Sequence, residues 1–346
     1  MTFTQRGAML TAVAITGLAL AAPATAAAAP ASSAQGNSQA AKGCITVTAT
    51  VHFPLASFPA WVAANPKTNT IYVTESVAHT VSVISGRMNT VTATIPVDRL
   101  PQGVAVDPKT NTVYVALAGP GKVSVISGRT NTVTASIPVG RGSQGVAVDP
   151  KTNTLYVANA EDNTVSVISG RTNTVTATVP VGTFPVGVAV DPKTNTAYVT
   201  NDFGGTVSVI SGRTNTATAT IPVGEFPDGV AVDPNTKTIY VTNGGNNTVS
   251  VISGRTNTVT ATIPVGRSPA GAAADPKTKT IYVTNFDDGT VSVISGRMNT
   301  VTATVPVGIA GTFPSPSGVA VDPKTNAAYV ANPGDDTMSV LAPCPK

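Results

Sequence analysis

The residues that could do chemistry are few. Two cysteines, Cys44 and Cys344, lie near opposite ends of the 346 residues. Two histidines, His52 and His79, stand isolated, and neither has an obvious serine and acid for a nucleophilic triad. No Cys-x-x-Cys, His-x-x-x-His or Gly-x-Ser-x-Gly pattern occurs. Two acidic pairs remain, Asp287-Asp288 and Asp335-Asp336. Carboxylates converging from neighbouring units could hold a hard cation such as Ca²⁺ through oxygen ligands. That is the one cofactor the chain suggests, and a metal-dependent hydrolase or lyase is the activity it would serve. The paired cysteines could form an internal disulfide, bridge two molecules, or be two unrelated thiols.

These residues must be positioned by an internal repeat. The segment around VAVDPKTNTVYVA recurs seven times. Its proline falls at Pro66, Pro108, Pro150, Pro192, Pro234, Pro276 and Pro323, so five steps are 42 residues and the last is 47. A period near forty residues with four short strands reads as a β-propeller blade. In the second unit the inner strand covers Gly103 to Val106, the second Thr112 to Val115, the third Val123 to Ser127. The outer strand runs from Thr132 to Ile137, with Val133, Ala135 and Ile137 alternating against hydroxyl residues. Asp107-Pro108-Lys109-Thr110-Asn111 and Gly128-Arg129-Thr130-Asn131 are turns, in which Asn tolerates the left-handed region. The chain opens on an outer-strand sequence from Ile45 to Val51 and ends on a third-strand sequence from Met338 to Ala342. The expected fold is therefore all-β: seven four-stranded antiparallel blades, with the N-terminal strand completing the last. Insertions near Leu55 and near Ile309 to Phe313 account for the departures from the period. Sliding the repeat onto the ends places Cys344 and Cys44 on adjacent positions of one turn. A disulfide locking the ring follows from that alignment.

Residues 1–26 read as a secretion signal: Arg6, an apolar run from Ala8 to Ala22, and a small-x-small site at Ala24-Thr25-Ala26. Residues 27–43 are a polar, alanine-rich leader that cannot bury a core. The propeller then occupies 44–346. No later apolar stretch approaches a membrane span. Export to an oxidising compartment fits one cysteine pair.

Tyr198-Val199-Thr200-Asn201, Tyr240-Val241-Thr242-Asn243 and Tyr282-Val283-Thr284-Asn285 spell YVTN, between a DPKTNT turn and a TVSVIS strand. Tyr156 and Tyr329 open the variant YVAN. Residues 44 to 344 thus resemble the YVTN-family β-propeller repeats. The resemblance implies a secreted or cell-surface propeller, with relatives among surface-layer proteins, lactonases and redox enzymes.

The two ends of such a ring differ here. One end repeats DPKTNT and SGRTNT almost unchanged, with 14 basic residues against six aspartates, about +8. The other carries variable loops, with 11 acids against four bases, about −7. The acids include Glu75, Glu161, Asp162, Asp202 and Asp228. All seven phenylalanines of the mature chain fall in these loops: Phe53, Phe58, Phe184, Phe203, Phe226, Phe286 and Phe313. Those preceding proline (Phe58, Phe184, Phe226 and Phe313) are expected to plug gaps between blades. Trp61, His79, Phe203, Phe286, Glu161 and Asp162 are the candidate contacts for a protein or glycan partner of the cell envelope. The expectation is a secreted, monomeric interaction or scaffold module. Export and basic turns without interleaved aromatics argue against nucleic acid.

Overall fold

The computed structural model describes residues 44–309, 311–313 and 315–344. The expected signal and leader lie outside them. The described residues form seven antiparallel sheets of four strands each. Blade 2 shows the plan: Pro101–Asp107 innermost, then Thr112–Leu117, Lys122–Ser127 and, outermost, Thr132–Pro138. Blades 1 to 6 are continuous in the chain. In blade 7, Val319–Asp322, Ala327–Asn332 and Thr337–Pro343 are joined by the N-terminal strand Ile45–His52, which pairs antiparallel with Thr337–Pro343. The inner strands of successive blades lie side by side, and that of blade 7 meets that of blade 1. The ring is closed.

Each blade alone would expose both faces, so the core lies between blades. Ala63, Tyr72, Val81 and Val83 of blade 1 pack against Val104, Val113, Val115 and Ile126 of blade 2. Six further clusters repeat this around the ring. The inner strands approach so closely that a Cβ on Gly145 would fall 2.3 Å from the Val186 carbonyl oxygen of the next blade. Blades 2 to 7 carry glycine there, which lets the backbones approach this closely. Blade 1 carries Trp61 at that position, and its ring packs into the blade 1–2 cluster.

The outer strand departs from simple alternation. Val125 pairs with Ala135, but Ile126 pairs with Val133, which leaves Thr134 as a bulge. Thr134 Oγ1 donates to the Val125 carbonyl (3.2 Å). The bulge resets the inward phase, so Val133 is 42% exposed instead of inward. The same shift recurs in blades 1 and 3 to 6. It twists each edge strand away from pairing with another molecule.

Cys44 and Cys344 form the disulfide, with Cα atoms 5.4 Å apart across 300 residues of sequence. Cys344 N–H donates to the Cys44 carbonyl (3.0 Å) beside it.

Candidate functional site

The repeated motif is a set of interlocking hydrogen bonds. The Asn of YVTN ends the second strand, and its Nδ2 donates to the Thr and first Ser of TVSVIS. Asn201, for example, reaches Thr206 Oγ1 and Ser208 Oγ, both at 3.0 Å. Asn159, Asn243, Asn285 and Asn332 do the same. The Thr faces the inner strand of the next blade. Thr242 Oγ1 accepts from Gly229 N–H (2.8 Å) of its own blade and donates to the Ala270 carbonyl (2.6 Å) of the next. Thr200 and Thr284 bridge their blades in the same way. Tyrosine completes the motif. All seven are buried, and a Cβ on Gly212 of blade 4 would fall 2.4 Å from the Tyr156 hydroxyl of blade 3.

On the uniform face the six aspartates of the DPKTNT turns are buried, 0–4% exposed. Asp107 Oδ1 accepts from Lys109 N–H (2.8 Å) and its Oδ2 from Thr110 Oγ1 (3.0 Å). Asn closes both turns in the left-handed region, as at Asn111 (φ 56°) and Asn131 (φ 55°); Lys237 and Lys279 take that strained place in blades 5 and 6. The lysines and arginines therefore stand on the surface while the aspartates lie beneath it.

On the variable face, second loops grip the connections between blades. Asp162 takes the amide of Arg141 (2.8 Å) before blade 3, and Asn163 takes that of Phe184 (2.8 Å) after it. In blade 7, Asp335 accepts from Ile309 N–H (2.7 Å), while Asp336 accepts from Ala56 and Phe58 N–H (2.7 and 2.9 Å). His79 fills the role in blade 1, with Nδ1 3.3 Å from Leu100 N. The gripped residue precedes proline yet is left-handed: Phe58, Leu100, Phe184 and Ser268 have φ between 49° and 59°. Such a conformation costs on the order of 1–3 kcal/mol each and persists because the surroundings enforce it.

The candidate metal ligands all take part in these grips. Asp288 binds Arg267 through its amide (2.7 Å) and Nε (2.6 Å), and Asp287 accepts from Ser268 Oγ (2.5 Å). Asp335 and Asp336 each hold a different connection. Among the described residues, no three His, Cys, Asp or Glu side chains come together in a metal-binding group. The Arg141 and Arg267 amides, then their guanidinium groups, hold Asp162 and Asp288 below the usual carboxylate range. Glu75 lies at the end of Thr70–Glu75, 2% exposed, where its carboxylate replaces the motif Asn and accepts from Thr80 and Ser82.

The remaining candidates scatter around this face. Phe203 is 52% exposed and stacks on Phe184, with ring centroids 4.5 Å apart. Glu161 is exposed, Phe286 and His79 are half-buried, and half-buried Trp61 belongs to the inter-blade core. Phe184 and Phe226 are half-buried, in keeping with a filling role. Phe313 is not a plug: it is 87% exposed, because the insertion moves the left-handed position on to Ser315. The grips and the Thr bridge were not anticipated. Their signal was present in the Asp or Asn that recurs in the second loops of blades 3 to 7.

The sequence matches no protein-family model and no curated protein. Among solved structures the chain is similar to the hydrazine synthase of Kuenenia stuttgartiensis, with a TM-score of 0.75 and 22% identity, covering 83% of this chain and 96% of that one. At that identity the likeness shows the fold alone.

Proposed function

We propose that the protein is an exported propeller of the YVTN-repeat kind, acting as an interaction or scaffold module. Its variable face binds a protein or glycan of the cell envelope. The observation that carries this reading is the placement of exposed aromatics. Phe58, Phe203 and Phe313 are the exposed aromatic residues among those described, and all three lie in variable-face loops. The uniform face shows only repeated polar turns and two methionines, Met88 and Met298, among its exposed large apolar groups. A ring whose repeats hold the fold identically leaves its variable loops free to differ. Tight packing between blades supports a rigid platform, which binds without ordering cost.

A photo-crosslinking residue placed at Phe203, and separately at Arg129 on the uniform face, tests the assignment in producing cells. Crosslinked products from the Phe203 position alone are expected. Equal products from both positions, or from Arg129 alone, would overturn the choice of face.

A further inference from the structure

Two connections exceed the repeat length, and the closed ring makes them neighbours. One precedes blade 7 and carries Ile309 and Phe313. The other precedes blade 1 and carries Leu55 and Phe58. Their tips are among the most exposed apolar groups of the chain: Leu55 at 94% and Phe313 at 87%. Between them stands the second loop of blade 7, with Asp335 holding the first connection and Asp336 the second. The second loop of blade 1 joins the group, because Ser76 N–H donates to the Phe58 carbonyl (3.0 Å) and brings exposed Val77 alongside. Leu55, Phe58, Val77, Ile309 and Phe313 thus tip one hydrogen-bonded sector. The other connections keep the 42-residue period without such tips, so the fold does not require them.

Charge selects the occupant. Asp335 and Asp336 accept only from amides and hydroxyls, and among the described residues neither has a cation at ion-pair distance. Two negative charges therefore sit beneath apolar tips. An anionic bilayer is repelled by this arrangement, and a second copy docking through the same sector would set like charge against like. We propose that this sector docks a polypeptide segment that combines apolar anchors with lysine or arginine. The inference rests on the variable face being the interaction surface and names the sector and the partner chemistry. The apolar anchors would supply binding energy between Leu55 and Phe313, and the cations would match the aspartates and fix register.

A random dodecapeptide display library panned against the full exported protein supplies the probe. Enriched peptides should pair aromatic or leucine residues with lysine or arginine. Their binding should fall about tenfold or more on the Leu55→Asp/Phe313→Asp double variant and weaken with salt. Both side chains are exposed, so the variant should keep its melting temperature; Phe203→Asp is the comparator. Peptides retained by the double variant but lost on Phe203→Asp would overturn this sector and leave the variable face as the binding surface. Enrichment of acidic peptides, or none, would overturn the partner chemistry. Sedimentation with phosphatidylglycerol vesicles, or self-association, that the double variant abolishes would overturn it as well.

Discussion

Thr242 does the work of two residues, one in its own blade and one in the next. Its hydroxyl accepts from Gly229 and donates to the Ala270 carbonyl. Ala116, Ala158 and Ala331 occupy the same place in other blades without that bridge. Thr242→Val should therefore fold but lose about 1–3 kcal/mol, because a buried amide and carbonyl are left unpaired in an apolar setting. Chemical denaturation of the variant checks it; no change would mean that neighbouring strands satisfy those groups. The YVTN spelling was plain in the sequence, but its reasons were not. The Thr contact spans 28 residues and depends on how closely inner strands approach. Spacing alone does not report that distance. The paired aspartates show the same limit. Asp335 and Asp336 sit side by side in the chain yet face different connections.

At the scale of elements, the strand Ile45–His52 is the one piece not held by sequence neighbours. Its partner, Thr337–Pro343, lies nearly the whole domain away. The cysteine bridge closes that loop and should contribute about 3–5 kcal/mol through the unfolded chain. The Cys44→Ser/Cys344→Ser variant should keep its strand content by circular dichroism but melt about 5–8 °C lower. An unchanged melting temperature would show that strand pairing alone closes the ring. Strand order and closure were legible because a fixed period leaves one way to count blades. The bulge at Thr134 was not, because alternating Val and Thr look the same with or without an extra residue. The left-handed connections were hidden too, since Phe-Pro ordinarily reads as extended chain.

At the scale of the whole molecule, seven buried tyrosines behave as a set. Burial, and then the neighbouring aspartate, pushes Tyr156, Tyr198, Tyr240 and Tyr282 up to about 12 from 10.0. Burial alone raises Tyr72, and burial with an aspartate raises Tyr114 and Tyr329. Their folded values lie above the unfolded one, so this stability is complete below pH 10 and is lost as pH rises toward 12. Tyrosinate absorbance should therefore stay low past its ordinary range and then rise together with loss of circular dichroism. A gradual rise without unfolding would mean that the inter-blade cores admit water. The sulfur bridge also has a mechanical consequence. Both ends of the folded chain leave from one turn of blade 7, beside Cys44 and Cys344. Tension applied at the two termini would run through that single covalent link before reaching any blade. The propeller would hang from its tether like a closed shackle, with its seven cores outside the line of force.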